Sequence, residues 1–267
     1  ELGDQNVLNI HLTLVPYLSA SGELKTKPTQ HSVKLLLENG VQPNILVLRT
    51  EHDLSQDLRR KVALFCNVDA DSVIQSIDVS TIYEVPILMQ KEKLDITVLK
   101  KLGMDYSGTP ELGPWNKFLK RLQNPKHSSR VALVGKYMEL PDAYISINES
   151  FKHAGAMNDC RVNVQYIHSE DVDENNYTTL LKGFDGILVA PGFGDRGIEG
   201  KILAARYARE NNVPFLGICL GLQCAVVEFA RNVLGLEKAH STEMALKTPD
   251  PVIDLMEDQK GVTEKGG

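Results

Sequence analysis

The sequence predicts an α/β protein of two domains, the second built on a parallel sheet. Three observations predict it. The chain has 267 residues, which is about two domains at roughly 100–200 residues each. From Arg130 onward, short apolar runs alternate with helical segments as far as Val233, and such alternation implies parallel strands with helices on both faces. Hydrophobic residues make up 42% and charged residues 24%, enough apolar material for real cores and incompatible with a wholly disordered chain.

Charge and cysteine usage narrow the function classes. There are 29 Lys+Arg against 35 Asp+Glu, a net charge of −6. That balance argues against non-specific nucleic-acid binding, while leaving room for a local basic pocket. No apolar run approaches the ~18 residues of a membrane helix, and no signal peptide opens the sequence, so a cytoplasmic location without a membrane partner is expected. Cysteines 66, 160, 219 and 224 form no CxxC pair and no zinc-finger spacing. They read as reduced thiols rather than metal ligands or a disulfide framework. The chain opens Glu1-Leu2-Gly3 without Met and stops at Glu264-Lys265-Gly266-Gly267 without a helix to end on. It reads as an interior fragment of a longer protein.

In the first domain, residues 1–104, Val7 to Tyr17 alternates apolar and polar residues, the pattern of a strand. A polar stretch from Ser19 to Gln30 follows. Ser32 to Glu38 reads as a short helix stopped by Asn39-Gly40. The continuous apolar run Asn44 to Leu48 suits a buried parallel strand. Ser55 to Cys66 reads as a helix with Leu58, Val62 and Phe65 on one face. Val73-Ile74 and Ile82 to Met89 suggest short elements, interrupted at Pro86. Residues 105–129 form the expected inter-domain linker, punctuated by Gly108, Pro110, Gly113 and Pro114 and enclosing one helix from Trp115 to Leu122.

In the second domain, residues 130–267, strands are read at Val131–Val134, Val162–Ile167, Gly186–Val189 and Pro214–Ile218. Helices are read at Asp142–Met157, Tyr177–Leu181, Ile198–Glu210 and Leu220–Val233. Regularity fades after Leu236.

The sharpest chemical signal is Gly217-Ile218-Cys219-Leu220-Gly221, which joins an apolar strand to a helix. It is the thiol counterpart of the G-x-S-x-G nucleophile elbow. Small residues let the backbone turn tightly, and the thiol then stands at the C-terminal sheet edge where open α/β folds bind ligands. The helix N-terminus beside it favours a thiolate. The competing reading is a buried packing cysteine. It holds for Cys66, Cys160 and Cys224, whereas strand, glycines and helix together single out Cys219. Ala190-Pro191-Gly192-Phe193-Gly194 follows another strand and shares that edge, so its N–H groups can face a developing oxyanion. Downstream of Cys219 the sole histidine is His240, whose setting does not resemble a base held by an orienting group.

Lys25-Thr26-Lys27-Pro28-Thr29-Gln30 lies between a strand and a helix. Its ammonium, hydroxyl and amide groups suit a phosphate-rich ligand. By composition alone a solvated loop is the better reading. No G-x-x-x-x-G-K-[ST] phosphate loop occurs, and the VGK at 134–136 lacks the upstream glycine.

Taken together, LNIHLTLVPY, GELKTKPTQHSVK, KVALFCNV, VALVGKYMELPDAY, GFGDRGIEGK, PFLGICLGLQ and the STE at 241–243 resemble the CTP synthase family over nearly the whole chain. The resemblance implies a P-loop-like (dethiobiotin-synthetase-like) synthetase domain followed by a flavodoxin-like class I glutamine amidotransferase domain, both partial here. It implies a ligase that uses ATP and Mg²⁺ to phosphorylate UTP and displaces that phosphate with ammonia from glutamine. It also implies GTP as activator, CTP as inhibitor, and homotetramers that form filaments. By position, Cys219 would be the nucleophile, Gly192 and Leu220 the oxyanion hole, and Gln223 and Glu243 glutamine-binding residues. Lys25, Thr26, Lys27, Pro28, Thr29, Gln30 and Lys61 would bind UTP or CTP. Arg49 and Val79 would lie near ATP, and Arg196 to Gly200 near the GTP-responsive region. The Mg²⁺ ligands and the general base are expected outside these residues. Two departures stand out: Ala190-Pro191-Gly192 where the family has Pro-Gly-Gly, and His240 where it has Asn. The other readings are an amidotransferase serving a different synthetase, which has no need of KTKPTQ, and a non-catalytic scaffold, against which the intact elbow argues.

Overall fold

The structure, a computed structural model, describes residues 6–106, 108, 110–140 and 142–256. The chain ends read above, Glu1 to Gly3 and Glu264 to Gly267, lie outside the described residues, as does Pro141. The chain divides into two compact units after Leu119, a point inside the stretch 105–129.

The first unit holds a parallel sheet. Its elements are β1 (Ile10–Leu14), β2 (Tyr17–Leu18), β3 (Glu23–Leu24), α1 (Lys27–Glu38), β4 (Ile45–Thr50), α2 (Gln56–Cys66), β5 (Val73–Ile77), α3 (Val85–Lys91) and α4 (Leu94–Lys101). Strand order is β1-β4-β5, parallel throughout, and β2 and β3 form a small antiparallel pair. Alternation along β4 sorts the core. Leu46 and Leu48 pack with Val33 of α1 and Val62 of α2, while Ile45 and Val47 face Met89, Leu94 and Val98 from α3 and α4. Ser55 caps α2, its hydroxyl accepting from Leu58 N–H at 3.3 Å.

Three expectations are corrected in this unit. Helix α1 starts at Lys27, not Ser32, with Thr26 as its N-cap residue and Pro28 in its first turn. A proline there gives up an N–H that has no helical acceptor in any case. Pro86 likewise begins α3 instead of interrupting it, and α4 forms where no element was read.

Helix α5 (Gly113–Gln123) follows. The second unit then runs β6 (His127–Gly135), α6 (Ile145–Met157), β7 (Cys160–His168), α7 (Tyr177–Leu180), β8 (Gly186–Val189), α8 (Ile198–Glu210), β9 (Phe215–Gly217), α9 (Leu220–Asn232), β10 (Ala239–Ser241) and β11 (Asp250–Ile253). The main sheet is parallel, in the order β7-β6-β8-β9. Ala132, Val134, Ile187 and Val189 face α7 and α8, and Leu133 and Leu188 face Ile147 and Phe151 of α6. Helices thus cover both faces. Strand β6 begins at polar His127-Ser128-Ser129, read above as linker, because pairing with β7 from Cys160 onward satisfies that backbone. The region after Leu236 is more regular than its sequence suggests, since β10 and β11 pair in parallel. Among the described residues no helix is long and apolar enough to cross a membrane.

One ion pair, with its carboxylate buried and its guanidinium partly exposed, ties α8 to α9. Glu228 is 2% exposed, and its carboxylate takes Arg209 Nη2 at 2.8 Å and Nε at 3.1 Å. Removing one member of such a pair strands a buried charge. Arg209→Ala is expected to lower unfolding free energy by about 3 kcal/mol in urea titration, and the double variant Arg209→Met, Glu228→Met to recover most of that loss.

Candidate active site

The elbow is built by close backbone approach. A Cβ on Gly217 would stand 2.5 Å from the Gly221 carbonyl carbon, and one on Gly221 would stand 2.2 Å from Val189 O. Only glycine fits both places. Between them Cys219 takes φ +53° and ψ −108°, a conformation that costs a non-glycine residue about 1–3 kcal/mol and is characteristic of functional turns. Its side chain is exposed, whereas Cys66 and Cys224 are buried. Burial pushes the Cys66 thiol up, and it pushes Cys224 up to about 11. Those two fit the packing role assigned to them.

The sheet register brings the second turn to the same edge. Val189 pairs with Gly217 and Ile218 N–H donates to Val189 O at 3.1 Å, so the chain leaves β8 into Ala190–Gly194 beside the point where it leaves β9 into Cys219. Leu220 is the first residue of α9, and first-turn N–H groups have no acceptor four residues back. Leu220 therefore has a first-turn N–H next to the thiol, and Gly192 lies in the turn that leaves β8 at the same sheet edge.

Gln223 lies one turn along α9. Its Nε2 donates to Glu243 Oε2 at 3.3 Å, and its Oε1 is buried with no donor. That oxygen is an acceptor that a ligand N–H can satisfy. Glu243 is exposed at the end of the β10 strand. The structure thus brings Cys219, Leu220, Gln223 and Glu243 to one end of α9. His240 is engaged elsewhere, its Nδ1 accepting the Ser241 N–H at 3.0 Å, and burial followed by Arg231 holds its imidazole below the usual range. Arg196 sits on the surface, paired with Glu170 at 3.0 Å, just before α8.

Sequence reasoning missed two lysines beneath the glycine turn. Lys136 is 4% exposed and donates to Phe193 O at 2.6 Å and Gly194 O at 2.8 Å. Lys201 is fully buried and donates to Ala190 O at 3.2 Å. Desolvation lowers both ammonium groups, Lys201 to about 8. Read alone, a lysine after a strand or in a helical pattern is a solvated residue, so only packing reveals them.

The first unit carries a separate cleft of about 750 Å³ at the C-terminal end of its sheet. Lys25, Thr26, Lys27 and Lys61 line it, with Tyr17, His52, Asp53 and Ser55. Tyr17 and His52, which no sequence signal indicated, bring their rings within 4.0 Å. Lys25 is ion-paired with Glu23. The N-termini of α1 and α2 open into the same cleft, adding N–H groups that favour anions. Thr29 is buried and Gln30 half-buried instead of lining the cleft: Thr29 Oγ1 donates to Leu14 O at 3.1 Å and Gln30 Nε2 to Thr26 Oγ1 at 3.2 Å. Pro28 lies in the first turn of α1, outside the cleft lining. Arg49 Nε donates to Asp78 Oδ1 at 3.3 Å, next to Val79. Among the described residues no three His, Cys, Asp or Glu side chains form a group that could hold a metal ion.

Comparison with known proteins agrees with both halves. Residues 1–104 match the family model for the CTP synthase N-terminus, and residues 139–262 match glutamine amidotransferase class-I. Curated CTP synthases from Flavobacterium johnsoniae, Cytophaga hutchinsonii and Christiangramia forsetii are 61%, 62% and 63% identical over all 267 residues. The chain spans about half the length of these relatives, 50%, 50% and 49%. A solved structure described as the Trypanosoma brucei CTPS glutaminase domain with bound acivicin is 38% identical. It covers 49% of this chain and 51% of its own, with a TM-score of 0.47.

The buried Lys201 ammonium makes stability depend on pH. Charges and thiols facing it are Cys224 on α9, Lys136 after β6 and Cys219 at the elbow. Its pKa is about 8 when folded against 10.5 when free. Between those values the unfolded chain binds the proton and the folded chain does not, so this contribution to stability rises with pH. Below pH 8 both states are protonated and the full cost, about 3 kcal/mol, is present. Denaturant titrations from pH 7.5 to 10.5 are expected to show a rising component that Lys201→Met abolishes.

Proposed function

The chain belongs to the CTP synthase family, and on that premise we propose that it supplies the glutamine-hydrolysing elbow and part of the nucleotide cleft of an enzyme that converts UTP to CTP. The observation that carries this reading is the exposed Cys219, held at φ +53° between two glycines at a sheet edge. In the proposed reaction the Cys219 sulfur attacks the side-chain carbonyl of glutamine. The carbonyl π electrons move onto oxygen, where the Gly192 and Leu220 N–H groups meet the charge. The C–N bond then breaks, the nitrogen takes a proton and leaves as ammonia, and a thioester remains on Cys219. Water hydrolyses the thioester to glutamate and restores the thiol. Gln223 and Glu243 hold the substrate. The base is expected outside these residues, a reading supported by His240 Nδ1 accepting the Ser241 N–H; the relatives, twice as long as this chain, have further sequence to provide one.

In the other half, the lysine cleft would take the triphosphate of UTP, with Lys25, Lys27 and Lys61 neutralising it and Thr26 adding a hydroxyl. CTP, sharing that triphosphate, would occupy the same cleft as inhibitor. ATP would lie near Arg49 and Val79, bringing Mg²⁺ with it. Phosphorylation at uracil O4 makes a leaving group that ammonia displaces, releasing phosphate. GTP activation near Arg196 to Gly200, a homotetramer that forms filaments and a cytoplasmic location complete the proposal.

Cys219→Ala in a full-length synthase containing this segment is expected to abolish CTP formation from glutamine and leave ammonia-dependent CTP formation within about twofold. Undiminished glutamine-driven activity refutes the assignment. Lys27→Ala is expected to raise the KM for UTP about tenfold, the loss of one charge-assisted hydrogen bond, with glutamine hydrolysis retained. An unchanged KM returns the lysine to the solvated surface.

A further inference from the structure

Lys201 is a charged side chain in a place where charge is costly. It lies on α8 among Ile198, Ile202, Leu203 and Ala205, all buried, and is itself 0% exposed. A hydrocarbon of the same length would fill that position without desolvating an ammonium. Its Nζ is spent on a backbone oxygen, Ala190 O at 3.2 Å. A Cβ placed on Gly192 would lie 3.6 Å from the same nitrogen, so the ammonium sits directly under the turn.

The carbonyl it holds is unusual in its connection to that turn. The Ala190–Pro191 peptide has no N–H, so its oxygen is the one group by which hydrogen bonding can orient it. Proline then fixes its own φ near −65°. With the Ala190–Pro191 peptide plane held by that bond and φ of Pro191 set by its ring, only ψ of Pro191 is left to set the next peptide, whose N–H belongs to Gly192. Lys136 anchors the far side of the turn through Phe193 O and Gly194 O. The Gly192 N–H stands between two carbonyl positions that are each held by a buried ammonium.

We propose that Lys201 is a positioning residue for glutamine hydrolysis, holding the Ala190 carbonyl so that rigid Pro191 directs the Gly192 N–H at the oxyanion. This inference rests on the glutaminase reading of Cys219. It assigns the buried lysine a task that a packing role does not explain.

The test is Lys201→Met in the full-length synthase, with glutaminase kcat and KM, ammonia-dependent CTP formation and the thermal midpoint measured together. A misdirected oxyanion donor should lower glutaminase kcat by about 10- to 100-fold. The KM for glutamine should stay within twofold, ammonia-dependent activity should be unchanged, and the midpoint should be unchanged or raised. If Lys201→Met does not fold, Lys201→Gln, one atom shorter than lysine, should show the same split between kcat and KM. A kcat within twofold of the parent overturns the proposal. So does a loss of both activities together with a lowered midpoint, which is the signature of a structural residue. Glutamine turnover that survives Cys219→Ala removes the glutaminase site and this proposal with it. Turnover lost on Cys219→Ala but kept in Lys201→Met removes this proposal alone.

Discussion

The second unit depends on one steric constraint: the peptide of Gly221 passes so close to Val189 O that no side chain fits between them. That approach sets the angle at which α9 leaves the sheet. It places Cys219 in a positive-φ turn, aims its sulfur outward and leaves Leu220 as the first residue of the helix. The turn that follows β8 leaves the same sheet edge as the thiol, because Val189 pairs with Gly217. A larger residue at 217 or 221 would move every one of these groups at once.

Around that turn the protein buries charge at a cost. Lys136 and Lys201 neutralise no carboxylate through the bonds that define their places; they bind the carbonyls of Ala190, Phe193 and Gly194. A loop of backbone is thereby fixed from below by ammonium groups, in a region where the low dielectric strengthens each hydrogen bond. The contrast with Glu228 is instructive. That carboxylate is equally buried but fully paired with Arg209, and it joins two helices instead of shaping a turn.

The cleft of the first unit follows a different plan. Its cations, Lys25, Lys27 and Lys61, come from a hairpin, the start of α1 and the body of α2. They converge because parallel strands deliver both helix N-termini to one sheet edge. The inward Thr29 hydroxyl, bonded to Leu14 O, ties the start of α1 to β1. Of the six consecutive residues Lys25 to Gln30, three present groups to the cleft and the others hold those three in place.

The sequence by itself determined the α/β class, the alternation from Arg130 onward, and the elbow at Cys219. Each of these rests on local pattern: apolar periodicity, β-branched runs and glycines at fixed offsets. Helix α8 and strand β8 have the limits their residues indicate, Ile198–Glu210 and Gly186–Val189. The sequence did not disclose that Lys27 to Gln30 are helical, that polar His127 to Ser129 form a strand, or that β10 pairs with β11. For the two strand regions the deciding partner is distant: a neighbouring strand satisfies a backbone that local propensity leaves open; for Lys27 to Gln30 it is the tie of the Thr29 hydroxyl to Leu14 O. The buried lysines are the clearest case. Nothing in Glu199-Gly200-Lys201 separates a solvated ammonium from one lying under the glycine turn, because burial belongs to the packing of α8 against the sheet and not to the residue.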